Sequence, residues 1–126
     1  MRLVYVAGPY RAPSAWEVEQ NIQRARRLGA EVARRGAYPV IPHSNTSHFD
    51  GLAPDEFWLA GTLELMRRCN AVIFAPDWGT SRGSRLERDE AKRLGLPCFD
   101  TLTELRDWLA NEKVLGDWFG AEPSHG

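Results

Sequence analysis

Apolar residues along the chain recur with two different periods. Leu3-Val4-Tyr5-Val6-Ala7 and Ala71-Val72-Ile73-Phe74-Ala75 are unbroken apolar runs, the pattern of strands covered on both faces in a parallel sheet. Tyr38-Pro39-Val40-Ile41 and Leu96-Pro97-Cys98-Phe99 are shorter runs of the same kind. Between them the spacing becomes helical. Val18, Ile22, Ala25, Leu28 and Val32 form one stripe behind the capping-box sequence Ser14-Ala15-Trp16-Glu17, which predicts a helix from about Ala15 to Arg35 with Gly36 at its end. Pro54 suits the first turn of a second helix that carries Phe57, Trp58, Leu65 and Cys69 inward and closes on Arg67-Arg68. A charged helix runs from Gly83 to about Leu94, ending at Gly95, and Thr101-Leu102-Thr103-Glu104 opens a last one with Leu105, Trp108 and Leu109 on one face.

Strands alternating with helices imply βαβ units, and hence an α/β fold of flavodoxin-like, Rossmann-like outline: a parallel sheet of four or five strands with helices on both faces. One domain over residues 1–113 is expected, followed by an irregular tail over 114–126. Ligands in such sheets sit at the carboxyl ends of the strands, near the reversal of strand order. Three loops meet there: Gly8 to Pro13, Pro42 to Gly51 and Pro76 to Gly83. The middle loop is expected to be irregular throughout. Its polar side chains, Asn45 among them, are candidate ligand contacts.

Composition narrows the chemistry. With 126 residues, 43% hydrophobic, the chain can bury one core, and 16 Lys plus Arg against 17 Asp plus Glu leave a formal charge of −1. Polymeric nucleic acid and anionic membranes, which call for clustered cations, are poor partners for such a chain, so a small molecule is expected. No apolar run approaches the roughly 20 residues that cross a bilayer, and the opening run is too short for a signal peptide, so a cytoplasmic protein is expected. Cys69 and Cys98 both lie in apolar surroundings and read as reduced.

One helix carries misplaced charge. Counting about 100° per residue from Gly83, the inward face is set by Leu86, Ala91 and Leu94, and Glu87 and Glu90 fall within that stripe. A carboxylate facing a core is either neutralised by a partner or placed there for function, because burying it alone costs several kcal/mol. For Glu87 the partner is an Arg of an adjacent loop, Arg82 or Arg11, or the role is chemical. Its place about one turn into the helix favours the ionised form, which suits a nucleophile. Whether Glu90 is paired, functional or exposed stays open.

Ser81-Arg82-Gly83-Ser84 opens that helix with small residues whose free N–H groups attract anions, or it merely caps the helix. It lacks the P-loop spacing and lysine, and Gly8-Pro9-Tyr10 lacks the dinucleotide glycine pattern, so neither ATP nor NAD is expected. His43, His48 and Asp50 match no metal-ligand spacing, and no metal is expected. His43 reads as a hydrogen-bonding residue at the site or as a loop cap. Trp78 either stacks on a planar ring or belongs to the wall, whereas Trp16, Trp58 and Trp108 read as packing. Trp118-Phe119 in the tail suits contact with a neighbouring subunit.

Taken together, Tyr5-Val6-Ala7-Gly8-Pro9-Tyr10-Arg11, Pro42-His43, Leu65-Met66-Arg67-Arg68-Cys69-Asn70-Ala71 and the Trp78-x-x-Ser81-Arg82-Gly83-Ser84-Arg85-Leu86-Glu87 stretch resemble the nucleoside 2-deoxyribosyltransferase superfamily. The likeness is greatest to its small bacterial and phage branch and covers about residues 2–110. It implies cleavage of an N-glycosidic bond in two steps: Glu87 attacks the sugar C1′, the base leaves, and water or a second base takes the sugar from the ester. It further implies that Tyr5 holds the nucleophile, that the loop of Gly8 lies against the sugar, that no metal or organic cofactor takes part, and that the chain forms a homodimer or larger homo-oligomer.

Three departures from the family pattern bear on the activity. Thr62 stands where an Asp that contacts base or sugar is usual, and a hydroxyl is no general acid near neutral pH. Asn70 replaces the Asp of a common Cys-Asp-Ala, and Pro9 a phosphate-contacting Ser of the related deoxynucleoside 5′-monophosphate hydrolases. The residue six before the nucleophile is typically Asp in the transferases and Ser in those hydrolases; here it is Ser81. Arg11 matches an Arg of the hydrolases' first loop, and Arg82 adds a phosphate donor. The resemblance therefore implies hydrolysis of a (deoxy)nucleoside 5′-monophosphate. Ser81, Gly83 and Arg11 would hold phosphate or sugar, Trp78 and His43 would line the base side, and Tyr10, Asn45 and Thr62 would lie within reach of substrate. Transfer of deoxyribose between bases and a nucleotide-binding sensor without activity are the alternatives.

Overall fold

A computed structural model describes residues 1–111, so the tail and Trp118-Phe119 lie outside the described residues. Strands β1 (Leu3–Ala7), β2 (Tyr38–Val40), β3 (Ala71–Phe74) and β4 (Cys98–Phe99) form one parallel sheet in the order β2-β1-β3-β4. Helices α1 (Ala15–Arg34), α2 (Pro42–Asn45), α3 (Asp55–Arg67), α4 (Arg82–Leu94) and α5 (Leu102–Asn111) connect and flank them. The chain starts in β1, steps outward to β2 and returns to β3 on the other side, so the strand order reverses between β1 and β3. Among the described residues no helix is long and apolar enough to cross a membrane.

Alternation along the strands builds two cores. Val4, Val6, Ala71 and Ile73 face one side, against Ala25 and Val32 of α1 and Leu105 and Leu109 of α5. Tyr5, Ala7, Val72 and Phe74 face the other, against Met66 of α3, Cys69 and Ala91 of α4. The result is a three-layer α/β sandwich of the flavodoxin-like kind. Each core side chain of Val or Phe size contributes roughly 1.5–3 kcal/mol by leaving water.

Local signals hold at most element ends. The Glu17 N–H donates to Ser14 Oγ at 3.1 Å, and Thr101 and Glu104 form a reciprocal box, each backbone N–H donating to the other's side chain at 3.1 Å. Gly95, at φ 74°, ends α4 in the left-handed region open to glycine. Asn70 locks the amino end of β3 to β1: its Oδ1 accepts from Leu3 N–H at 2.7 Å and its own N–H donates to Leu3 O at 2.8 Å. This places Asn70 at the opposite end of the sheet from the loops that follow β1 and β3.

Several expectations need correction. The loop after β2 is not irregular throughout, because Pro42, with its φ fixed, starts the short helix α2. Pro54 sits at the N-cap of α3 rather than in its first turn. Phe57 is 61% exposed, since neighbours on a helix point about 100° apart and Trp58 takes the inward direction. Trp16 is 70% exposed rather than packed. Trp108 does pack, against the Phe99 ring at 5.6 Å. Both cysteines are free thiols.

Candidate functional site

The parity of β1 turns Tyr5 toward α3 and α4, where its ring is wholly buried. Its hydroxyl donates to Glu87 Oε2 at 2.5 Å. Glu87 is the inward carboxylate of α4, only 7% exposed. Thr62 of α3 completes the group; its hydroxyl donates to Leu59 O at 3.0 Å and lies close enough to the Glu87 carboxyl to lower its pKa. Glu87 thus has a neutral donor, Tyr5, in place of the arginine that the alternative reading required.

Burial pushes the Glu87 carboxyl up to about 7, while the hydroxyls of Tyr5 and Thr62 pull it down. The helix start does not keep the group in the ordinary carboxylate range, as its position had led us to expect, because loss of hydration outweighs the dipole. The Tyr5 phenol is itself driven well above its usual value, by burial first and by the adjacent carboxyl, so it remains a donor. Glu90 is resolved as a structural pair. It accepts from Arg93 at 2.9 and 2.7 Å and from Arg67 at 2.9 Å, which hold its carboxyl down at about 2.

Above Glu87 opens a cavity of about 440 Å³ at the carboxyl ends of β1 and β3, a size suited to a small organic ligand. Gly8, Pro9, Tyr10, Arg11, His43, Thr62, Ser81, Arg82 and Gly83 line it together with Glu87, so most of the predicted residues converge there. A Cβ on Gly8 would stand 2.9 Å from Ala75 Cβ, which is why the two strand ends approach so closely under the cavity. Ser81 caps α4, its Oγ accepting from Ser84 N–H at 3.1 Å, and leaves the Arg82 and Gly83 N–H groups at the helix start facing no turn of helix. Ser84 Oγ, on the same wall, is buried and has no hydrogen-bond partner among the described residues.

Two predicted residues lie elsewhere. Asn45 is exposed on α2 and does not line the cavity. Trp78 is wall, not lining: its ring meets Phe74 edge-on at 5.7 Å, and the Arg88 guanidinium lies 4.4 Å from its centre. Arg88 also donates to Asp100 at 2.7 and 3.1 Å, tying α4 to the end of β4. Trp58, read as packing, takes the lining position instead, with Phe49, Asp50 and Asp55 nearby. The spacing of Trp58 and Thr62, one turn apart on α3, was the signal available for it.

His43 bridges rather than reaches outward. Its Nε2 stands 3.0 Å from Gly8 O and 2.9 Å from Pro9 O; two carbonyl acceptors require Nε2–H, and burial lowers the ring's pKa and keeps it neutral. Arg11 is held by Asp50 at 2.8 Å and by Asp55, so its charge is already matched. Arg82 has no ion pair among the described residues. His48 stands 3.1 Å from Glu19, away from His43, and no described group of three His, Cys, Asp or Glu side chains is placed to hold a metal ion.

Residues 2–100 match the family model of a domain of unknown function, DUF7768. No curated protein sequence matches. Among solved structures the fold is similar to a 2-desoxiribosyltransferase from Leishmania mexicana, at 18% identity and a TM-score of 0.55, over 78% of this chain and 62% of that one. The chain therefore spans about three fifths of that enzyme's length, and the likeness is one of fold.

Proposed function

The chain belongs to the DUF7768 family, and for this member we propose cleavage of the N-glycosidic bond of a deoxynucleoside 5′-monophosphate or a related nucleotide. The observation that carries the reading is the buried Glu87 carboxyl, held by Tyr5 at the floor of a nucleotide-sized cavity. The fold it shares with a deoxyribosyltransferase supports the same chemistry.

Glu87 acts as its carboxylate. One oxygen bonds to C1′ as the C1′–N bond breaks, and the base leaves with the electron pair and takes a proton from solvent. Water then attacks C1′ of the glycosyl ester as the C1′–O bond to Glu87 breaks, its surplus proton passing to solvent, which releases the sugar phosphate and restores the Glu87 carboxylate. Tyr5 keeps the attacking oxygen oriented and donates to it throughout the cycle. The N–H groups at the start of α4, Ser84 Oγ and Arg82 receive the phosphate or sugar oxygens. His43 holds the Gly8-Pro9 turn in shape against the sugar. We place the enzyme in the cytoplasm, to which two free thiols are suited. Self-association belongs to the same reading: Phe49, which lines the cavity, and Leu52 and Phe57 are exposed large apolar side chains, and a monomer by light scattering overturns that part.

The test is incubation of wild type and Glu87→Ala with each deoxynucleoside 5′-monophosphate and each deoxynucleoside, with free base measured by chromatography. The expected result is base released from a monophosphate by wild type alone, without an acceptor base. Release that requires an acceptor base would mean transfer instead of hydrolysis, and no release from any substrate would contradict the reading.

A further inference from the structure

The cavity is polarised from wall to wall. On the α4 side lie the helix N–H groups, Arg82, which has no ion pair among the described residues, and Ser84, whose Oγ is buried, with the residue 1% exposed, and lacks a partner among the same residues. A buried hydroxyl without a partner is costly unless a ligand oxygen or water supplies one, so this wall takes the oxygen-rich end of the ligand. The opposite wall presents the Trp58 ring and two carboxylates, Asp50 and Asp55. Both Asp50 oxygens already accept, one from Tyr10 at 2.7 Å and the other from Arg11 at 2.8 Å. Asp55 gives one oxygen to Arg11, and its Oδ2 accepts nothing among the described residues. One arginine against two carboxylates leaves a net charge of −1 on this wall.

From this arrangement we infer that Asp55 selects nucleotides whose base carries an exocyclic amino group, adenine, cytosine or guanine, over thymine, uracil and hypoxanthine. The inference rests on the reading of the cavity as a nucleotide site. With the phosphate or sugar on α4, the base lies along Trp58 and its edge meets Asp55. An amino group donates to Oδ2. Uracil and thymine instead present carbonyl oxygens on both sides of a single N–H, and hypoxanthine places a carbonyl where adenine has its amino group, so lone pairs face the carboxylate. Asp55 is 72% exposed, so water meets its Oδ2 when no amino group does, and the discrimination comes from the repulsion between the carboxylate and a carbonyl oxygen set against it.

The experiment compares adenine with hypoxanthine and cytosine with uracil deoxynucleoside monophosphates as substrates and, by calorimetry, as ligands, for wild type, Asp55→Asn and Asp55→Glu. A preference of at least tenfold for the amino-bearing partner is expected in wild type. It should persist in Asp55→Glu and fall to within about threefold of unity, or invert, in Asp55→Asn, whose amide can donate to a carbonyl. Melting temperatures show that each variant is folded; should Asp55→Asn fail to fold, the wild-type ratios decide. Base released equally from both members of each pair overturns the inference and leaves the glycosidase reading intact. If no base is released, that reading fails and the calorimetric ratio decides alone: tenfold tighter binding of the amino-bearing nucleotides supports the role of Asp55, and equal binding or none overturns it.

Discussion

The Tyr5 hydroxyl and Glu87 Oε2, 82 residues apart in sequence, stand 2.5 Å from each other between strand β1 and helix α4. The contact joins the middle of the sheet to the floor of the cavity, and neither partner has an ion pair among the described residues. Tyr5→Phe removes the stronger of two hydroxyl contributions that lower the Glu87 pKa, so the pKa moves further up. The expected outcome is an acidic limb of the pH–kcat/KM profile displaced to higher pH, with a loss of about 1–3 kcal/mol in stability from the bond removed. A limb left in place would contradict the assignment of Tyr5.

In wild type that limb itself is set by Glu87. Ionised carboxylate is needed for attack, so activity should rise with pH and level off above about 7, where the buried group has lost its proton. Initial rates of base release between pH 5 and 9 measure this. Thr62→Val should shift the limb upward by less than Tyr5→Phe, because the Thr62 hydroxyl, which donates to Leu59 O, lowers the Glu87 pKa less than Tyr5 does.

Stability should move the opposite way. Glu87 has a folded-state pKa of about 7 against 4.5 for the free side chain, so the folded chain binds this proton more tightly than the unfolded chain. The associated stability is complete below pH 4.5 and is lost as pH rises through 7. Glu87→Gln keeps an acceptor for Tyr5 without the charge. It should match wild type in melting temperature near pH 4.5 and melt higher at pH 8, where its stability exceeds that of wild type by at most about 3 kcal/mol for a shift of this size. Equal melting temperatures at pH 8 would show that the carboxylate is not penalised by burial.

His43→Ala should loosen the Gly8-Pro9 turn, whose two carbonyls lose their common donor. We expect a raised KM with a smaller change in kcat, and a stability loss of about 2–4 kcal/mol from two broken hydrogen bonds and the space left. Because burial keeps the ring neutral, the stability it contributes in wild type is present above the usual histidine pKa of 6.5 and declines as pH falls below it.

The alternation of unbroken apolar runs with helical stripes was enough to read the sheet and both helical layers from sequence, since strands buried on both faces leave little else for those residues to do. Glu87 was legible for the same reason: a carboxylate in an apolar stripe breaks the pattern. The far wall of the cavity was not. Periodicity reports that Trp58 faces inward but not whether inward means core or cavity, and Trp78, read at the site, turned out to lie behind it under Arg88. Asp50 and Asp55 fall at loop and helix-start positions, where acidic residues are common for local reasons, so their meeting at Arg11 had no signature. Asn70 was read as a departure bearing on the activity, and its position gave no sign that it ties β3 to β1 at the remote end of the sheet.

The covalent glycosyl ester on Glu87 is the central claim, and intact-protein mass spectrometry after acid quench of a turnover mixture tests it most directly. The account predicts a mass increase equal to the sugar phosphate on wild type, mapped to the peptide containing Glu87 and absent from Glu87→Ala. Base released with no adduct on the protein at any quench time, or with an adduct on another residue, would contradict it.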